Sequence, residues 1–188
     1  MNIPNSLTLL RILLIPVFVV VFYLPFKWHY QLAALLFTLA AVTDLLDGYL
    51  ARRLGQISKL GAFLDPVADK LMVAIALVLL VQDHPSIWLA LPAAVIIGRE
   101  VTVSALREWM AELGARRKVA VTFLGKFKTV TQMVALILLI YHEPLFSLPV
   151  YQIGIVAIYI AALLTLWSMV HYLTMAWPDL TDRKNISS

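Results

Sequence analysis

The sequence predicts an all-α, polytopic membrane protein in which six transmembrane helices surround a polar cavity open to the cytoplasm. Three observations lead there. Of 188 residues, 62% are hydrophobic and only 14% are charged, whereas soluble domains carry about 25% charged residues. Six apolar stretches reach the roughly 20 residues that an α-helix needs to cross a bilayer. The charges that do enter these stretches cluster near one end of each.

The first stretch covers residues 6–23, with Pro16 as a kink site. It is expected to stay as a helix: no basic segment precedes it, Arg11 interrupts it, and no small-residue cleavage pattern follows. The second covers residues 31–54 and the third residues 59–81. The fourth runs over residues 86–113, where Gly114 offers a C-terminal stop. The fifth and sixth cover residues 124–141 and 149–175, and a polar tail follows from Pro178. Residues 1–188 leave room for one bundle and no separate soluble domain.

Loop charge sets the orientation. The connections after the first, third and fifth helices hold Lys27, Asp83, His84, His142 and Glu143, so a single lysine. The opposite side holds Arg52, Arg53, Lys59, Arg107, Arg116, Arg117, Lys118, Lys126, Lys128, Arg183 and Lys184. The positive-inside rule puts that side, with both termini, in the cytoplasm. A net charge of +4 distributed in this way suits anionic lipid and substrate phosphates rather than nucleic acid. The absence of cysteine excludes disulfides and thiol chemistry. The four histidines share no metal-ligand spacing, and the five tryptophans fall mostly near helix ends, as interface anchors do.

Residues 44–69 organise the rest. Asp44 and Asp47 are spaced i, i+3 and Asp65 and Asp69 i, i+4, so each pair projects from one helix face. A turn near residues 55–60 would bring the two faces together. An unpaired Asp at the centre of a membrane helix costs about 2.5–3.5 kcal/mol, so positive charge must sit among the four. An all-oxygen set of this kind suits Mg²⁺ or Mn²⁺ rather than zinc. Helix capping is the plainer reading of Asp65, which precedes Pro66, but it does not account for acids in register on two helices.

Depth agrees. At 1.5 Å per residue, Asp44 lies about 20 Å along its helix from the outer surface, roughly 10 Å below the inner edge of the core. The same distance from residue 86 reaches Arg99, while Arg11, Asp65, Asp69, Lys126 and Lys128 lie in the first turns of their helices. Lys126 and Lys128 oppose the helix dipole there, which an anion would explain, although snorkelling to the interface is the simpler reading of either alone. Arg11, Arg99, Arg107, Lys126 and Lys128 are therefore candidates for binding a phosphate. Arg99 has a competing structural role as the partner of Glu100, Glu108 or an acid of the site. Asn5 and Thr8 lie close enough to Arg11 to line the site, with N-capping the simpler account of Asn5.

The pattern D-x-x-D-G-x-x-A-R, eight residues, then G-x-x-x-D-x-x-x-D is complete. It resembles the signature of the CDP-alcohol phosphotransferase family of membrane enzymes. Outside it, Asn2, Asn5, Thr8 and Arg11, the run from Ala62 to Lys70, Arg99 with Glu100, and the stretch from Ser104 to Gly114 resemble the branch of that family whose acceptor is sn-glycerol 3-phosphate. The resemblance implies transfer of a phosphatidyl group from CDP-diacylglycerol to the acceptor with release of CMP, in a homodimer in the bacterial inner membrane. It further implies two divalent ions, one on Asp44, Asp47 and Asp65 and one on Asp44, Asp65 and Asp69, with Asp69 as general base. Asp47, Gly48, Ala51, Arg52 and Gly61 match family positions that contact the cytidine diphosphate. The runners-up are a sister transferase acting on phosphatidylglycerol, inositol phosphate or serine, and a cation transporter, since intramembrane acids also mark ion pathways.

Overall fold

The computed structural model describes the backbone of residues 3–54, 59–112, 123–145 and 147–181. Within those segments, the side chains of residues 3–5, 45, 47–54, 59–60, 62, 111–112, 123–126 and 176–181 lie outside the described set. Six helices follow in order: α1 Ile3–Tyr23, α2 His29–Leu54, α3 Lys59–Asp83, α4 Ile87–Glu112, α5 Phe123–Tyr141 and α6 Val150–Thr181.

The boundaries match the apolar pattern with two corrections. Helix α1 starts at Ile3, so Asn5 is inside its first turn rather than capping it. Pro4 fits that turn because the first helical amides have no carbonyl partner to lose. Helix α6 continues to Thr181, so the chain at Pro178 is still helical rather than part of a tail. Pro16, Pro66 and Pro92 sit inside uninterrupted helices. The plainer reading of Asp65 as an N-cap therefore fails, because Asp65 and Pro66 lie more than a turn inside α3.

Among the described residues, three helices are long and apolar enough to cross a membrane, over Ser6–Tyr23, Ile87–Met110 and Val150–Met175. The described apolar part of α5, Phe127–Tyr141, is shorter. The outer surface agrees with a lipid environment: Leu13, Phe63, Val101, Leu163 and Trp167 are all more than 60% exposed. Trp167 thus faces outward rather than packing within the bundle.

Helix α6 packs most extensively on α5, and α1 on α2, while α3 and α4 touch more sparingly. Gly154 explains the close α5–α6 approach: a Cβ there would lie 3.2 Å from the Leu139 backbone nitrogen, which cannot swing aside. The main apolar core collects Phe18, Phe22, Phe37, Leu77, Leu80, Ile96, Leu136, Leu139 and Ile158 from all six helices. It fills the end of the bundle away from the acids.

That end closes with polar and aromatic contacts. Tyr30 donates to Asp83 at 2.8 Å, Gln31 to Glu143 at 2.5 Å, and Tyr23 to Gln82. His84 and His142, 58 positions apart in sequence, have ring centroids 4.4 Å apart, and Tyr151 lies 5.0 Å from His142. Burial pushes the His142 imidazole below its ordinary range, and the His84 ring adds to this, against opposing pulls from Asp83 and Glu143. The folded state thus favours neutral His142. Stability is full above the ordinary histidine value and is lost as pH falls below about 6.5, where the unfolded chain takes up a proton more readily. The melting temperature in detergent should fall on acidification through that window, and His142→Asn should flatten the dependence.

Candidate active site

Two polar clusters occupy the other end of the bundle. The first joins α1, α2 and α3. Arg11 is 1% exposed, and its guanidinium lies 2.7 Å from Asp44 Oδ1. Thr8, one turn earlier on α1 and also buried, donates to Asp65 Oδ1 at 2.5 Å. Asp44 and Asp65 are within electrostatic reach of one another. The opposed acids of two helices are thus drawn together, each held by a polar side chain of α1. Gly61, one turn before Asp65, is buried.

The second cluster joins α4, α5 and α6. Glu100 accepts from Arg99 at 2.9 Å and from Lys128 at 3.0 Å. Arg99 and Lys128 are 8% and 3% exposed. Arg99 also donates to Ser168 Oγ at 3.0 Å, and Arg107 to the Tyr172 hydroxyl at 3.1 Å. Two cations thus share one carboxylate, with Arg107 alongside on the Tyr172 hydroxyl. Arg99 Nε and Arg107 Nε are buried with no partner among the described residues. Such an excess of buried donors is costly unless an anion completes it.

Asp69 lies between the clusters. It lines a small cavity with Arg11, Phe37, Ala40 and Met72, and another of about 60 Å³ with Lys70, Glu100, Thr129, Gln132 and Met133. Gln132 is 4% exposed, and its Oε1 has no partner among the described residues. A larger apolar cavity of about 350 Å³ adjoins the second one, lined by Lys70, Leu71, Ala74, Ile97, Glu100 and Val101 along α3 and α4.

A family model for CDP-alcohol phosphatidyltransferase matches residues 1–167. The chain belongs to that family. A Pseudomonas fluorescens protein named CDP-diacylglycerol–glycerol-3-phosphate 3-phosphatidyltransferase is 60% identical over 190 residues, covering 99% of this chain and 96% of that protein. Proteins of the same name from Salmonella paratyphi A and Shigella flexneri are each 56% identical over 182 residues, covering 97% of this chain and 98% of theirs.

For a CDP-alcohol phosphatidyltransferase, the structure divides the residues expected from sequence into groups. Arg11, Thr8, Asp44, Asp65 and Asp69 meet around α1–α3; Arg99, Arg107 and Lys128 meet around α4–α6. Arg11 therefore sits with the acids rather than with the other cations. Arg99 takes Glu100 as its acidic partner. The side chains of Asn5, Asp47, Gly48, Ala51, Arg52 and Lys126 lie outside the described residues.

The donor set fits a hard divalent cation in kind, being carboxylate oxygens with no nitrogen or sulfur ligand. Among the described residues no three acids or histidines are close enough to hold an ion, so Asp47 would have to complete the set. The residues missed from sequence are Thr165, Ser168 and Tyr172 of α6. Their i, i+3, i+7 spacing inside an apolar span marks one helix face and was the available signal.

Proposed function

We propose that this chain transfers the phosphatidyl group of CDP-diacylglycerol to sn-glycerol 3-phosphate, giving phosphatidylglycerophosphate and CMP. Near full-length identity of 56–60% to proteins named for that reaction carries the reading. The pairing of an acid cluster with a separate buried cation cluster supports it.

Two Mg²⁺ or Mn²⁺ ions held by Asp44, Asp47, Asp65 and Asp69 would supply charge neutralisation at the donor pyrophosphate and acidify the acceptor hydroxyl. Thr8 and Arg11 hold the Asp65 and Asp44 carboxylates in place from α1. Asp47, Gly48, Ala51, Arg52 and Gly61 receive the cytidine diphosphate, the glycines leaving room and Arg52 offering charge-assisted bonds. Arg99, Arg107, Lys126 and Lys128 take the acceptor phosphate. Asp69, between the two clusters, accepts the acceptor's hydroxyl proton as its oxygen bonds to the phosphatidyl phosphorus and the bond to CMP breaks. The apolar cavity along α3 and α4 shares Lys70, Val73 and Glu100 with the polar one, which suits a lipid donor whose tails stay in the bilayer.

Residues 1–188 form one domain with six membrane spans. Helices α2 and α3 cross despite their acids, because those acids face the cavity. The protein is a homodimer in the bacterial inner membrane, with the site and both termini cytoplasmic, as the loop charges require.

The test is a panel of acceptors offered to purified protein with labelled CDP-diacylglycerol and Mg²⁺. Glycerol 3-phosphate should give the labelled lipid at least about 100-fold faster than serine, since an anion site built for a phosphate leaves buried cations unpaired without one, and faster than inositol phosphate or phosphatidylglycerol, whose phosphates come with a larger body that the same site must admit. Preference for another acceptor would make the chain a sister transferase. No CMP release with any acceptor would leave the transporter reading.

A further inference from the structure

The geometry points to Tyr172 of α6 as the positioning residue that sets the two arginines of the acceptor site, an inference that rests on the acceptor reading above. Tyr172 is 3% exposed. Its ring lies 5.9 Å from the Arg99 guanidinium carbon and 5.2 Å from that of Arg107. The two arginines leave α4 eight residues apart, about 12 Å along the helix axis, yet converge on one aromatic ring. The Tyr172 hydroxyl accepts from Arg107 at 3.1 Å. One turn earlier, Ser168 accepts from Arg99 at 3.0 Å and donates to the Thr165 carbonyl at 2.9 Å, which fixes its hydroxyl.

The ring itself cannot shift. It packs with Val103, Leu106 and Met110 of α4 in a second, smaller apolar cluster. Val103 lies midway between the arginines in sequence, so the wall that holds Tyr172 belongs to the helix that carries both cations. A guanidinium over an aromatic face is held by the ring's quadrupole, and more strongly where water is excluded. Each arginine keeps an unpartnered Nε. Tyr172 thus restrains the forks without consuming all their donors, and among the described residues its polar and ring contacts are with the two arginines of α4 and not with Asp44, Asp65 or Asp69. A fault at Tyr172 should therefore appear in acceptor affinity and not in donor affinity.

The test compares Tyr172→Phe, Tyr172→Leu and Arg107→Ala in nanodiscs, with KM measured separately for glycerol 3-phosphate and CDP-diacylglycerol. Arg107→Ala should raise the acceptor KM about tenfold or more. Tyr172→Leu, which removes both ring and hydroxyl, should raise it about tenfold, and Tyr172→Phe, which keeps the ring, about threefold. The donor KM should stay within about twofold throughout. If Tyr172→Leu does not fold, the Ser168→Ala/Tyr172→Phe pair removes both hydroxyl contacts and should exceed Tyr172→Phe alone. Equal rises in both KM values, or no acceptor effect at Tyr172 while Arg107→Ala has one, would overturn the assignment. An unchanged acceptor KM in Arg107→Ala would instead overturn the acceptor reading beneath it.

Discussion

Replacing Asp65 with Asn should lower kcat by at least about 1,000-fold, or about 4 kcal/mol of transition-state stabilisation, with the protein still folded in the membrane. Asp65 accepts from Thr8, and an amide oxygen can accept that same bond, so the local packing survives. What the amide lacks is charge. Asp44 already faces the Arg11 guanidinium, so the pair Asp44–Asp65 holds one excess negative charge beside Arg11, and Asp69 follows one turn after Asp65. Neutralising Asp65 leaves too little charge to hold a doubly charged ion against water. Thr8→Val should cost far less, about tenfold, because it removes a hydrogen bond to an acid and leaves the acid. The measurement is CMP release at saturating substrates, with size-exclusion profiles as the check on folding. Comparable rates for Asp65→Asn and wild type would show that the acids are structural.

The second large effect concerns Lys128. Lys128→Ala should raise the KM for glycerol 3-phosphate by about 10- to 100-fold, the equivalent of one charge-assisted contact of about 1.5–3 kcal/mol. Stability should change little. Glu100 accepts from Arg99 as well as Lys128, so removing the lysine does not strand a buried carboxylate, the event that makes broken ion pairs expensive. Glu100→Ala is the contrasting case. It leaves Arg99 and Lys128 facing each other without their acid, and it should both raise the acceptor KM and lower the melting temperature. A Lys128→Ala enzyme with an unchanged KM would place the acceptor phosphate elsewhere.

Much of this site was legible in the sequence because intramembrane charge is rare and therefore informative. Asp44, Asp65 and Asp69 stand out against helices whose other faces must meet lipid, and the i, i+3 and i, i+4 spacings on two successive helices predict acids brought together, as Asp44 and Asp65 are beside Arg11 and Thr8. The common depth of Arg11, Arg99 and Lys128 was equally readable from 1.5 Å per residue. What depth cannot supply is azimuth. Arg11 and Lys128 lie at similar levels, yet one points to Asp44 and the other to Glu100, and only helix packing decides between them. The α6 contribution was hidden for a different reason. Ser168 and Tyr172 are ordinary residues in a membrane helix, and their importance follows from lying opposite Arg99 and Arg107. The histidine contacts at the end away from Asp44 and Asp65 were illegible for the same reason: His84 and His142 are brought together by tertiary packing, and no local spacing announces it.

The most direct measurement is CMP release from CDP-diacylglycerol by purified protein in nanodiscs, with and without glycerol 3-phosphate, in Mg²⁺ or Mn²⁺ and then in excess chelator. Phosphatidyl transfer at facing acids of α2 and α3 requires that release depend on both acceptor and divalent cation and disappear in Asp65→Asn. CMP formation that persists in chelator, or in the Asp65→Asn protein, would contradict it.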